Sequence, residues 1–474
     1  QGKGQEPWAA LAAGGRRGRP DGRGCRSALA KVLAAPLRSG SRGLLDTAVL
    51  TTRAEAMALA AEEALLAELA AQGAHVCAVP KTRADGVRGL FATSDLDAEE
   101  IACWVPREAV LEHGTCDVEL RDAIDDALAD SPCSETERSV YGRMIALALG
   151  YLLEKARGPS SRFYRYIEAL PPPPPTVNTF APAERELLKL MSGSDLYSMY
   201  TDLVDLATSC AERAAGLWGA LPAPGRAEVE VAFFFVLSRM SYMRMIPLCD
   251  LANAALPGQE NARIVAEGQV VDGREGCAVV TRRPVKAGEE VVIDYNHNDA
   301  PSMLASYGCT LGLEDLRSVT RVQVSLPPFL KDLADPSLAK GTQLLEDEPS
   351  GLPGKVLMLL RMAAMGSSEE LVAAAEAGYF NEPPTGPAEK LRQWSLWEST
   401  ALAEFMHFCK AQRQRWEETV GPALAAVDGN GLPGRMAAVQ YETDRRLLKR
   451  CEEAMKVRVT ELLRGAVSAG QQTQ

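Results

Sequence analysis

Hydrophobic and polar positions recur with two different periods along this chain, and the switches between them mark its organisation. From Thr51 to about Gln72 the run TTRAEAMALAAEEALLAELAAQ is Ala, Leu and Glu in helical proportions with neither Gly nor Pro, and it predicts a helix. Short segments of another kind follow. HVCAV from His75, GLFATSDL from Gly89 and EIACWVP from Glu100 are each bounded by Gly, Asp or Pro and predict strands joined by tight turns. Helical patterns dominate from about Cys116 to Leu237, interrupted by a proline run from Pro171 to Pro175. Proline fixes φ and donates no hydrogen bond, so this run is a stiff spacer between two helices, or else a ligand for a proline-reading domain. Strands return with CAVVTRRPV from Cys277, the turn KAGEE, and EVVIDY, in which Val291, Ile293 and Tyr295 share one face and Tyr295 ends a half-buried strand. After about Leu313 the pattern is helical to the end. Leu402, Phe405, Met406, Cys409 and Trp416 fall on one stripe, as do Leu448, Cys451, Met455, Val459 and Leu462, and such stripes are ordinarily core. DPSLAKGTQLLEDEPSGLPG and GYFNEPPTGPAEK read as loops between these helices.

One stretch fits neither period. MIPLCDLANAALPGQENARI, from Met245, follows a long apolar helical run and then places Asp, Asn, Gly, Gln, Glu and Asn close together. Such side chains hydrogen-bond locally and favour turns, so a surface turn is one reading; a small-molecule pocket lined by backbone is the other.

Composition narrows the classes. A chain of 474 residues has room for two or three domains at roughly 150 residues each. Hydrophobic residues at 46% and charged residues at 24% are those of a globular protein with a sizeable core. The net charge of −12 argues against a general nucleic-acid binder, which needs a basic surface to release counterions. The longest apolar stretch, Val231 to Leu237, is far short of the ~20 residues that span a bilayer, so no membrane segment is expected. Eleven cysteines without a Cys-x-x-Cys pair, and four scattered histidines (His75, His113, His297, His407), point to free thiols in a reducing compartment and to no metal site. The N-terminal stretch GGRRGRPDGRGCRSALAKVLAAPLRSGSRGLL is rich in Arg, Ala, Gly and Ser and poor in acids, as in an organelle transit peptide, or equally in a disordered basic leader or a translated upstream region.

Three separated pieces carry the chemistry: GVRGLFATSDLDAEEIACWVP from Gly86, SRMSYMRMIPLCDLAN from Ser238, and VKAGEEVVIDYNHNDAPSMLASYGC from Val285. In order and spacing they resemble the SET-domain protein-lysine methyltransferases similar to the Rubisco large-subunit methyltransferase. The resemblance runs from about His75 to Arg464 and implies an α+β fold: a SET-domain β-fold with a helical insertion, then an all-α substrate-binding domain. It divides the chain into a leader with its helix (1–73), the SET domain (74–312, insertion about 116–237), the helical domain (313–465) and a tail (466–474). It implies S-adenosylmethionine as cofactor, with the methionine end cradled at Arg88, Gly89, Leu90 and Phe91, the carboxylate on Arg239, and the adenosine end on Asn253 and Ala254; Asp250 joins the same set. It makes Tyr295 the catalytic tyrosine and Tyr307 the second tyrosine of the site. The acceptor is then a lysine nitrogen of a protein held by the C-terminal helices, in a chain acting as a monomer; a histidine acceptor is a variant of the same fold. If the leader is a plastid transit peptide, the location is the chloroplast and the Rubisco large subunit or another plastid protein is the expected substrate, the alternative locations being cytoplasm and nucleus. The sequence departs from the family at Ala254 (usually His), Cys309 (usually Phe) and Asp299 to Ser302. These departures raise the competing expectation of a SET-like protein-binding scaffold with weak or no turnover.

Overall fold

A computed structural model describes residues 45–295, 300–309, 319–323, 342–346, 354–374, 388–427 and 431–471, apart from positions 85, 130, 132, 192, 193, 257, 366, 368, 371 and 373. Most of the basic N-terminal stretch, His297, Asp299 and most of the two C-terminal loops lie outside the described residues.

Helix α1 (Leu45–Ala71) enters first, and its Ala61, Leu65 and Leu69 are buried against the sheets. The expected strand HVCAV is two strands. β1 (His75–Val76) pairs with β4 (Ile101–Pro106), whereas β2 (Ala78–Thr82) pairs with β3 (Arg88–Ala92), so the chain changes sheets at Cys77. Cys77 serves both: its N–H donates to the Ala102 carbonyl (2.8 Å) and its carbonyl accepts from the Thr93 N–H (2.8 Å). Short β5 (Leu111–Glu112) closes this part.

The insertion is helical: α2 (Val118–Ala129), α3 (Glu135–Arg157), α4 (Tyr164–Ala169), α5 (Pro182–Leu190), α6 (Ser194–Arg213) and α7 (Arg226–Leu237). A reciprocal capping box of Ser134 and Glu137 starts α3, and Gly158 at φ +54° ends it. The proline run lies between α4 and α5. Consecutive residues of α7 point in directions about 100° apart, so a Phe-Phe-Phe run must be covered on several sides. Phe233 and Phe234 pack into the core of the inserted helices and Phe235 into the core of the sheets, and α7 is thereby wedged between the two.

Beyond it come β6 (Arg244–Met245), β7 (Asn253–Ala254), β8 (Ala262–Val271), β9 (Arg274–Thr281), β10 (Glu290–Ile293) and α8 (Ala300–Tyr307). The two larger sheets have strand orders β1-β4-β9-β8 and β2-β3-β10-β7. All their pairings are antiparallel except β7 with β10, which run parallel with Val292 opposite Asn253. Val291 and Ile293 are buried as the alternation requires, and β10 stops two residues short of Tyr295.

The C-terminal part departs from purely helical patterning at one point. An antiparallel ribbon, β11 (Val319–Gln323) with β12 (Thr342–Glu346), precedes the helices. VTRVQ carries three β-branched residues in five, a strand preference too short to register against helix-length periodicity. Then follow α9 (Gly354–Ala364), α10 (Ala388–Arg415), α11 (Gly421–Ala425) and the long α12 (Leu432–Gln471). Leu402, Phe405, Cys409, Leu448, Cys451 and Met455 form the interior of this part. Trp416 does not join them, because a π-helical turn over Trp416–Val420 redirects it into the core of the inserted helices. No helix among the described residues is long and apolar enough to cross a membrane.

Candidate active site

The segment between α7 and β7 turns sharply twice. Ser241 and Arg244 exchange backbone hydrogen bonds (2.8 and 3.0 Å) around Tyr242 (φ +52°) and Met243 (φ +57°), a two-residue turn with both central residues left-handed, a conformation that normally selects Asn-Gly. Arg244 holds it from below, buried, with Glu112 at 2.6 Å and the Ala266 carbonyl at 3.1 Å. A few residues on, the Cys249 N–H donates to the Pro247 carbonyl (2.9 Å) across Leu248 at φ +67°, a strained γ-turn in a buried position. Strain of this kind persists where packing over-determines it, and here it aims Asp250 inward.

Asp250 is buried. Its Oδ2 accepts from the Tyr166 hydroxyl (2.8 Å), while its Oδ1 has no partner among the described residues. Burial pushes this carboxyl up to about 6, against the opposing attraction of Arg239. Arg239 donates from Nη1 to the Asp250 carbonyl (3.3 Å), lies 5.9 Å from the Phe235 ring, and has no partner for its buried Nε among the described residues. The Tyr295 hydroxyl donates to the Ala252 carbonyl (3.0 Å), and its ring lies 4.3 Å from that of Tyr307. Burial pushes both phenols well above their ordinary range, so both stay protonated at neutral pH.

Arg239, Asp250, Tyr295 and Tyr307 line one cavity of about 240 Å³ together with Ser238 and Ala252. Arg263 and Arg282 also line it, each tied to an acid: Arg263 to Glu99 (2.8 Å) and Arg282 to Glu260 (2.8 Å). The proline run has a structural part here. Gly308 takes φ +67°, and a Cβ there would fall 2.4 Å from the Pro175 carbonyl, so the run abuts the turn that carries Tyr307.

The strand residues of the first motif sit beside this cavity. Leu90 is fully buried and Phe91 is half-buried with the Lys81 ammonium 5.9 Å from its ring; neither lines the cavity. Gly89 is where backbone must come close: a Cβ there would fall 2.2 Å from Glu290 Oε1 and 2.8 Å from Asn253 Nδ2. Asn253 spends its amide hydrogens on the Arg88 carbonyl (3.0 Å) and Glu290 Oε1 (2.7 Å). Ala254 pairs with Ile293, and the Arg88 guanidinium turns away to Glu62 (2.7 Å) and the Ala169 carbonyl (3.0 Å). Cys309 is exposed, whereas Asp299 lies outside the described residues.

Tyr166, Glu62, Glu290 and the buried Asn261 are contributors that motif reading passes over. Asn261 Oδ1 accepts from the Val292 N–H (2.8 Å) and its Nδ2 donates to the Glu290 carbonyl (2.8 Å), tying the polar stretch after Asn253 to β10. Its place in QENARI, among groups that hydrogen-bond locally, was the available signal. Tyr166 and Glu62 had none, being ordinary positions on helices remote in sequence. Among the described residues no group of three or more His, Cys, Asp or Glu is arranged to hold a metal.

No protein-family model matches the sequence, and no curated protein matches it. Solved structures do. The SET domain of LSMT bound to lysine and AdoHcy matches with a TM-score of 0.54 at 18% identity, covering 85% of this chain and 92% of that one. Rubisco LSMT bound to AdoMet matches with a TM-score of 0.53 at 18% identity, covering 85% and 93%. Rubisco LSMT bound to sinefungin and monomethyllysine gives a TM-score of 0.53 at 17% identity, with the same coverages of 85% and 93%. The chain has the SET-domain fold of these LSMT structures, with a helical C-terminal part.

Proposed function

We propose that this SET-fold chain is an S-adenosylmethionine-dependent protein methyltransferase that methylates a lysine nitrogen on another protein. One observation carries the reading: Arg239 and Asp250 from one motif piece and Tyr295 and Tyr307 from another line a single cavity in which a buried guanidinium Nε and a carboxylate oxygen have no partner among the described residues. Buried polar atoms without partners call for an explanation, and a ligand carrying both a carboxylate and positive charge supplies one. The similar LSMT structures hold AdoMet, AdoHcy and lysine, which supports the same ligands here.

The residues fit that cofactor. Arg239 offers a guanidinium edge to its carboxylate, and Asp250 offers negative charge to its positive groups. When bound, the cofactor supplies an electrophilic methyl on a sulfonium. The chain's own task is alignment and a dry setting, since an in-line transfer to an amine asks for little covalent help. A lysine amine is protonated in water near neutral pH, and the positive sulfonium of the bound cofactor would favour its uncharged form. Tyr295, fixed by its bond to Ala252, presents its hydroxyl oxygen as a neutral acceptor that orients the amine, and Tyr307 packs against it. The C-terminal helices are the surface proposed to hold the protein substrate, with the Rubisco large subunit or another plastid protein as the candidate.

Titration with S-adenosylmethionine in a calorimeter tests the reading, with saturable heat expected. Tyr295→Phe removes one hydroxyl, so turnover on a labelled-cofactor extract assay should fall while cofactor affinity stays nearly intact; unchanged turnover would remove Tyr295 from its role. A second reading, a SET-fold binding protein without turnover, is favoured by Asn253, whose amide hydrogens are both engaged within the chain, and by Ala254. It predicts no saturable heat.

A further inference from the structure

Helix α1 reads in the sequence as the end of a leader, yet it places a carboxylate on Arg88, whose charge reaches the cavity residues Asp250 and Arg239. Glu62 pairs with Arg88 at 2.7 Å, the two side chains being 13% and 15% exposed. Arg88 in turn lies within electrostatic reach of both Asp250 and Arg239, while its carbonyl accepts from Asn253 (3.0 Å). Two guanidiniums and two carboxylates therefore share one poorly solvated region, and their charges cancel. Without Glu62, Arg88 and Arg239 would compete for the single Asp250 carboxylate and the group would carry a net positive charge.

We propose that Glu62 is a positioning residue of the methyl-transfer site: by neutralising Arg88 it leaves Asp250 to Arg239 and keeps the site receptive to a cationic ligand. The inference rests on the transferase reading. Near neutral pH S-adenosylmethionine carries a sulfonium, an ammonium and a carboxylate, a net positive charge, whereas S-adenosylhomocysteine lacks the sulfonium charge and is neutral overall. Loss of a nearby negative charge therefore penalises the first more than the second, a distinction that damaged packing does not make. An opposite charge close by in a partly buried setting is worth one pK unit or more, which is about tenfold in affinity.

The experiment is calorimetric titration of the wild-type protein, Glu62→Gln and Glu62→Asp with each of the two ligands, alongside a thermal melt of each protein. Glu62→Gln is expected to lose roughly tenfold in S-adenosylmethionine affinity and little in S-adenosylhomocysteine affinity, with Glu62→Asp restoring most of the loss. Equal losses for both ligands accompanied by a lower melting temperature would make Glu62 merely structural and overturn the proposal. So would an unchanged affinity in Glu62→Gln, or an aspartate that fails as the glutamine does. Absence of saturable heat in the wild-type protein would instead overturn the transferase reading, and this inference with it.

Discussion

Replacing Asp250 by Asn keeps the shape of the side chain and an oxygen for the Tyr166 hydroxyl, but removes a charge that burial penalises. The carboxyl rises from an ordinary 3.8 to about 6, even with Arg239 and Arg88 attracting its charged form. About two units at 1.36 kcal/mol each is roughly 3 kcal/mol of cost to the folded state once the group is ionised. The direction follows from proton counting. Between the two values the folded chain keeps a proton that the unfolded chain has released, so this group's contribution to stability declines as pH rises through that window, and the full cost is present above about 6. Asp250→Asn should therefore match the wild type near pH ~4 and become the more stable of the two by up to ~3 kcal/mol near pH ~7. Comparing the two proteins cancels the other titrating groups. Denaturation at closely spaced pH values reads the gap directly, and S-adenosylmethionine affinity should fall in the same variant, because the site has lost a negative charge. A variant less stable than wild type at neutral pH, or a gap that does not widen between the two pH limits, would refute the claim that this carboxylate is held at a cost.

Three further substitutions test the surrounding geometry. Gly89→Ala drives a methyl into Glu290 Oε1 and Asn253 Nδ2, both ends of movable side chains, so cofactor affinity should drop severalfold while stability falls by no more than ~2 kcal/mol, measured by calorimetric titration and a urea curve. Tyr242→Gly relieves a left-handed residue that is 64% exposed, and the unfolding free energy from denaturation should rise by about 1 kcal/mol; a fall would show that the turn is not strained. Arg244→Met leaves the buried Glu112 with Arg107 as its remaining cation and should cost about 3 kcal/mol in the same assay.

Periodicity and turn chemistry were enough to place most elements, because they act locally. The strand pieces at Gly89, Glu100, Cys277 and Glu290, the helical character of the insertion and the apolar stripes of the last helices are properties of neighbouring residues, and the fold honours them. The motif residues Arg239, Asp250, Tyr295 and Tyr307 were nameable for a related reason: each lies in a short pattern that can be recognised without knowing its neighbours in space. Where β1 ends and β2 begins was not readable, because Cys77 is shared by two sheets whose other strands lie far along the chain. Nor was the turn of Arg88 toward Glu62, the phenol of Tyr166 on Asp250, or the use of Asn253's amide within the chain. These contacts join helices and strands remote in sequence, and burial, which raises the Asp250 carboxyl and leaves the Arg239 Nε without a partner among the described residues, exists once those elements have closed around them. A residue's type and spacing fix what it can do; the solvent it loses and the charges it meets are set by segments that its own sequence neighbourhood does not contain.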